Sequence, residues 1–220
     1  MRLEDVIGPV MIGPSSSHTA GAARLGRLAA LIWGRPVREV TIFLRGSFAA
    51  TWWGHGTDLA ILAGLLGFLP DDPRIPNARE EAKKKGIHWT FKAEHPDGAH
   101  PNSARFLFKD EGSSMEVVGA SIGGGAVRLL EIDGFKLELS GELPALITFH
   151  RDTPGVVASI TGLLASKGLN IATLTLHRQG RGKGAAMVVE LDENPQAEII
   201  DEISSCHNGI FRVLPLKLGE

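Results

Sequence analysis

The apolar pattern restarts after Ser140-Gly141-Glu142, and the segment beyond that junction limits the fold more than any other stretch of the 220-residue chain. Leu146 to His150 reads as a strand that ends in Arg151-Asp152-Thr153-Pro154-Gly155. Pro154 suits a first helical position, Val156, Val157, Ile160, Leu163 and Leu164 supply a core face, and Lys167-Gly168 ends the helix with a cation and a glycine. Strands are predicted over Asn170 to Leu176 and Ala185 to Leu191, joined by the basic tip GRGKG. Pro195 opens another helix, and Ile210 to Leu216 is a last strand. The order βαββαβ is that of a ferredoxin-like unit.

The preceding residues build a different domain. Leu25, Leu28, Ala29 and Ile32 recur at helical spacing between Ala20 and Trp33, and EVTIFL (Glu39 to Leu44) is β-branched and aromatic enough for a strand. DLAILAGLLGF, from Asp58 to Phe68, is apolar nearly all round, so it is expected as a buried helix whose glycines permit close packing. A short charged helix at Ala78 to Lys85 precedes the alternating strand around Ile87 to Ala93. Four short β patterns come next, at Ala104 to Lys109, Met115 to Ile122, Ala126 to Ile132 and Phe135 to Leu139. Asp133-Gly134 between the last two is a strong hairpin signal, because both residues tolerate positive φ. The expected fold class is therefore α+β: a first domain over 1–141 with helices covering a mainly antiparallel sheet, and a second over 145–218.

Composition narrows the partners. Apolar residues make up 43% and charged residues 22%, a globular balance with no long apolar span. The formal charge is −2, and the Lys83-Lys84-Lys85 run comes after two acids instead of extending a basic stripe, so neither nucleic acid nor membrane is an expected partner. MRLEDVIGPV lacks the apolar core of a secretory signal and carries acids, which makes the cytoplasm the expected location. Cys206 is the one cysteine, so the chain can form no internal disulfide and cannot by itself build a cysteine-ligated iron–sulfur cluster.

Four segments carry chemistry. In Gly13-Pro14-Ser15-Ser16-Ser17-His18-Thr19-Ala20-Gly21, hydroxyls and an imidazole crowd ahead of an apolar helix. One of them would suffice as a cap; the excess, beside unpaired first-turn amides, suits a carboxylate or phosphate. Arg24 either strengthens that field or faces solvent. The second segment, GSFAATWWGHGTD from Gly46 to Asp58, runs from a strand end into the buried helix and sets His55 between glycines that let a ligand approach, with Thr57 or Asp58 as the helix cap. An imidazole there suits proton transfer or a purely structural role. In the third, HPDGAHPN, each proline restricts the histidine before it and no ligand spacing for a metal is completed; His100 and Asn102 are read as polar substrate contacts or as an ordinary loop. The fourth, Ser121-Ile122-Gly123-Gly124-Gly125, offers unobstructed amides or simply a hairpin.

Taken in order, GPSSSHTAG, GSFAATWWGHGTD, HPN and SIGGG resemble the beta subunit of iron–sulfur-dependent L-serine dehydratases. The segment ITFHRDTPGVVASITGLLASKGLNIATLTLHRQGRGKGAAMVVELD resembles an ACT domain, with its D-x-P-G and G-x-N-I signatures. The resemblance implies conversion of L-serine to pyruvate and ammonia, with a 4Fe-4S cluster held by the cysteines of a separate alpha subunit and no metal ligand in this chain. It implies that Ser15, Ser16, Ser17, His18 and Thr19 orient the substrate carboxylate, that His55 assists proton transfer or holds substrate, and that Gly56, Thr57, Asp58, His100 and Asn102 complete the wall. In ACT domains the junction matching Asp152, Gly155 and Asn170 often binds an effector, usually across a dimer interface; alternatively Asp152 and Thr153 merely cap the helix and Asn170 tolerates a turn. Trp52 and Trp53 stand where the family usually has a small residue; they either face a partner or pack the core against the buried helix.

The competing reading is a non-catalytic amino-acid sensor, because the N-terminal domain also resembles the allosteric substrate-binding domain of some phosphoglycerate dehydrogenases. His55 and His100 discriminate, since a sensor needs anion donors but no proton-transfer group.

Overall fold

The computed structural model describes residues 10–219, so the expectation drawn from the first nine residues lies outside the described residues. By internal contacts the chain divides into two compact units between Asp133 and Gly134. That division counts the strand at Phe135–Leu139 with the second unit, ahead of the junction at Ser140 to Glu142 expected from sequence.

In the first unit, a turn at Ser16–Gly21 leads into α1 (Ala22–Trp33), followed by β1 (Glu39–Arg45), α2 (Gly46–His55), α3 (Thr57–Leu65), α4 (Ala78–Lys84) and β2 (His88–Glu94). Then come β3 (Asn102–Asp110), β4 (Ser113–Gly123) and β5 (Ala126–Ile132). The strand order is β2-β1-β3-β4-β5. β1 and β2 run parallel in the register Glu39 with His88 to Arg45 with Glu94. β3, β4 and β5 pair antiparallel with their neighbours. A parallel pair needs a long crossover, and α2, α3 and α4 provide it.

α3 is buried at nearly every position, as its all-round apolar sequence demands. It crosses α1 at backbone contact: a Cβ on Gly64 would stand 2.0 Å from the Ala23 carbonyl oxygen, and one on Gly26 would stand 2.4 Å from that of Ile61. Leu25, Ile32, Ile42, Phe48, Ile61, Leu62, Phe106 and Phe108 are fully buried around this crossing and the sheet face beneath it.

α2 fills the segment between β1 and the buried helix, to which the sequence pattern assigns no element. Gly46 opens it at φ +53°, where a side chain would strike Pro101 at 2.6 Å, and Gly56 ends it at φ +66°. Gly56 is also the N-cap of α3, which has no side-chain cap; neither Thr57 nor Asp58 caps the helix. Among the tryptophans, Trp52 packs on Phe91 at 5.5 Å between ring centres, whereas Trp53 is 71% exposed and does not serve the core.

The second unit begins with β6 (Phe135–Leu139) after a turn in which Asp133 and Gly134 both take positive φ, as a two-residue hairpin requires. β7 (Ala145–Arg151), α5 (Val156–Ser166), β8 (Ile171–Arg178), β9 (Gly184–Leu191), α6 (Ala197–Ser205) and β10 (Ile210–Leu216) give the βαββαβ order, with sheet order β10-β7-β9-β8. Leu146, Met187 and Val189 of the sheet close against Ile160 and Leu164 of α5 and Ile199 and Ile203 of α6. One local expectation fails: Gly155, at φ +95°, is the N-cap of α5, so Pro154 lies outside the helix. A residue that must turn left-handed displaces the proline by two positions.

Among the described residues no helix is long and apolar enough to cross a membrane.

Candidate functional site

The serine-rich segment caps the Ser16–Gly21 turn that runs into α1, whose own N-cap, Gly21, has no side-chain bond. Ser15, extended at φ −144°, accepts through its Oγ from the His18 N–H at 3.1 Å. Its carbonyl accepts from the N–H groups of Thr19 at 2.8 Å and Ala20 at 3.4 Å, a widened turn that carries Ser16, Ser17, His18 and Thr19 around the helix start. The Ser15 hydroxyl is thus the cap, and those of Ser16 and Ser17 make no hydrogen bond among the described residues. Thr19 points inward, 2% exposed, and its Oγ1 has no partner among the described residues.

His18 reaches from this turn to the start of α2. Its Nε2 lies 3.0 Å from Ser47 Oγ, its ring meets Phe48 edge-on at 5.2 Å, and it lies 5.0 Å from the ring of His55 at the last position of α2. Burial holds the His18 pKa below its ordinary value, the neighbouring His55 lowers it further, and hydrogen bonding to Ser47 opposes both. His18 is therefore a neutral imidazole at neutral pH, able to accept a proton. Burying α3 behind α2 fixes the C-terminal turn that presents His55, whose side is open to solvent.

The HPN segment joins through backbone. Gly46 bridges Asn102, and the Phe48 N–H donates to the Pro101 carbonyl at 3.3 Å. Asn102 keeps a buried Oδ1 without a partner among the described residues, while its N–H donates to His100 Nδ1 at 3.2 Å. That bond leaves the proton of a neutral His100 on Nε2.

From the other side comes Ser121 of β4. Its Oγ stands 2.1 Å from where a Cβ of Gly21 would be, so the glycine at the end of the turn is what admits it. Arg24 is tied to the same hairpin, donating from Nη1 to the Gly125 carbonyl at 3.1 Å. Thr57 is fully buried with an unpartnered Oγ1. Thr19, Thr57, Asn102 and Ser121 thus leave four buried oxygens unsatisfied among the described residues, all in the segments that sequence marks for substrate. Such groups ordinarily find partners; the three hydroxyls can donate to a bound anion, whereas the Asn102 Oδ1 only accepts.

Sequence reasoning misses Ser47 and the Ser121 hydroxyl. The signal for Ser47 is its place directly after the strand-ending glycine; Ser121 stands out in the sequence only for the amides of its loop. Asp58 is placed differently from the rest. It is 3% exposed and its Oδ2 accepts from Arg79 Nη2 at 2.5 Å, so its carboxylate is already spent on an ion pair.

Among the described residues no three histidine, cysteine, aspartate or glutamate side chains converge on a metal position. Cys206 lies at the end of α6 in the other unit. A four-iron cluster takes about four thiolates, and this donor set does not fit one.

In the second unit the expected effector junction does not assemble within one chain. Arg151 pairs with Gly184, whereas Ile171 pairs with Leu191, so Asp152 and Asn170 lie at opposite ends of β9. Asn170 donates from Nδ2 to Asp192 at 2.7 Å, and Asp152 accepts from the Gly182 N–H at 3.1 Å. Gly155 stays beside Asp152 at the start of α5.

Two families match this chain. The serine dehydratase beta chain family matches residues 7–88, and the ACT domain family matches residues 145–208. A probable L-serine dehydratase beta chain of Bacillus subtilis is 45% identical over 93% of each chain. The L-serine dehydratase beta chain of Peptoniphilus asaccharolyticus is 38% identical over 98% of this chain and 96% of its own. D-3-phosphoglycerate dehydrogenase of Bacillus subtilis is 26% identical over 84% of this chain but only 35% of its own length. With near-complete coverage in both directions at these identities, the chain belongs to the L-serine dehydratase beta-chain family.

Proposed function

We propose that this chain supplies the carboxylate-binding and proton-handling wall of an L-serine ammonia-lyase, and that a separate alpha subunit completes the site and holds a 4Fe-4S cluster on its own cysteines. The observation that carries the proposal is the pair of imidazoles, His18 in the hydroxyl-rich turn ahead of α1 and His55 at the last position of α2, with ring centres 5.0 Å apart. Relatives named as beta chains support the existence of an alpha partner.

Dehydration of serine breaks the Cα–H and Cβ–O bonds and releases water; the resulting aminoacrylate tautomerises to an imine, and a second water gives pyruvate and ammonia. Ser16, Ser17, Thr19 and Thr57, with the amides at the start of the Ser16–Gly21 turn, receive the carboxylate, assisted by Ser121. His100 and Asn102 close the wall beside them. Gly56 leaves the approach to His55 open. His55 takes the α-proton or orients the substrate, and His18, kept neutral, is the second acceptor within reach. Asp58 acts through Arg79 to hold the first turn of α3.

The similarity to phosphoglycerate dehydrogenase, which spans both units of this chain, favours a second reading as a non-catalytic amino-acid sensor. In a complex reconstituted with the alpha subunit, His55→Ala is expected to lower turnover about a hundredfold or more while assembly stays intact. Turnover equal to the unsubstituted complex would remove His55 from the chemistry and leave the sensor reading standing. A small amino-acid effector at the ACT unit is part of the same proposal, with Asp152 and Gly155 from one copy and Asn170 from the other in a homodimer.

A further inference from the structure

At one end of the four-stranded sheet, three loops border an open cavity of about 760 Å³. The β7–α5 link contributes Arg151 and Thr153, the β8–β9 tip contributes Gly182 and Lys183, and the α6–β10 link contributes His207, with Phe211 of β10 beside it. Among the described residues no carboxylate lines it. Arg151 and Lys183 have no ion-pair partner among the described residues. The neighbouring acid, Asp152, is spent on the tip: its Oδ2 accepts from the Gly182 N–H and lies 3.5 Å from Arg178.

The walls are set before any ligand arrives. Arg151 N–H donates to the Gly209 carbonyl at 2.8 Å, and Asp152 N–H donates to that of Lys183 at 2.8 Å, so both outer loops are pinned to the central one. His207 is oriented too. Its Nδ1 accepts from the Gly209 N–H at 2.9 Å, which leaves the proton of the neutral ring on Nε2. That Nε2 is 3.5 Å from where a Cβ of Gly155 would stand, at the N-cap of α5. No side chain caps this eleven-residue helix. Beneath the same end, His150 on β7 is 2% exposed, and its Nδ1 has no partner among the described residues. Phe211, 61% exposed, gives the cavity an apolar flank.

We infer that this cavity binds a phosphate monoester, with the phosphate between Arg151, Lys183 and the His207 Nε2–H and its organic part against Phe211. Two cations, an oriented N–H donor and a bare helix start serve an anion with several oxygens better than a single carboxylate. The volume exceeds what inorganic phosphate fills and suits a mononucleotide-sized molecule. The cavity adjoins the Asp152–Gly155 half of the proposed effector site and takes nothing from Asn170, which lies at the opposite end of the sheet.

Calorimetric titration of the full chain with inorganic phosphate, AMP and L-serine tests this. AMP is expected to bind saturably and more tightly than inorganic phosphate. Arg151→Gln and Lys183→Gln each weaken AMP at least tenfold, Lys183→Arg restores most of the loss, and Asn170→Ala leaves the AMP affinity as it was. Both glutamine variants replace exposed side chains, so circular dichroism should match the unsubstituted chain. Absence of saturable AMP binding, AMP binding indifferent to Arg151→Gln and Lys183→Gln, or an AMP affinity lost in Asn170→Ala would each overturn the assignment.

Discussion

The four buried oxygens of Thr19, Thr57, Asn102 and Ser121 separate a binding role from a packing role at single residues. A hydroxyl without a partner costs stability in the free protein, so removing it while keeping its shape is nearly neutral or stabilising. Thr57→Val is therefore expected to leave the urea midpoint unchanged or slightly higher, yet to raise the KM for serine about tenfold in the reconstituted complex. A lowered midpoint with unchanged KM would make Thr57 a structural residue. His18 yields a second prediction, with its sign fixed by burial. Its folded pKa lies below the ordinary value of 6.5, so the unfolded chain binds the proton more readily. Stability is full above that value and falls as pH drops through the lowered folded pKa; His150 contributes with the same sign. Urea unfolding at pH 7.5 and 5.5 should show the loss, and His18→Asn should reduce it. At this scale Ser15 to Thr19, His55 and Asn102 are legible in the sequence because each sits in a dense motif. Sequence cannot show that Asp58 is claimed by Arg79, which lies twenty-one residues away.

Among the elements, the crossing of α1 and α3 depends on two glycines that bring the backbones together. Gly64→Ala forces a methyl against the Ala23 carbonyl and should cost about 3 kcal/mol, the upper end for overpacking, read as a lowered denaturation midpoint. If the midpoint held, the helices would not be in backbone contact. Glu94 tests the sheet in the same way. It accepts from Arg105 at 2.6 and 3.0 Å and from Arg45 at 2.6 Å, joining β1, β2 and β3, and these guanidinium bonds, Arg105 foremost, hold its pKa below the usual carboxylate value. Glu94→Ala leaves two largely buried cations without their shared acid and should cost about 2 kcal/mol. The buried helix and most strands are legible because their apolar periods are long. α2 is not: GSFAATWWGH is bounded by glycines and buries only Phe48, so no helical stripe marks it. Its helicity comes from the crossover that a parallel β1–β2 pair imposes.

For the whole molecule, the order of strands and helices foretells two units, because the βαββαβ pattern is complete in itself. The effector junction misleads at this scale. Its motif residues lie close in sequence and suggest one site, and only strand register shows Asp152 and Asn170 at opposite ends. The central claim is that the first unit offers one wall of a serine site and lacks the donors for the other. It is tested by assaying pyruvate formation from L-serine under anaerobic conditions, with the purified chain alone and after addition of its alpha subunit. The chain alone should form no pyruvate and turnover should appear on reconstitution; pyruvate from the iron-free chain alone would rule out a site split between two subunits.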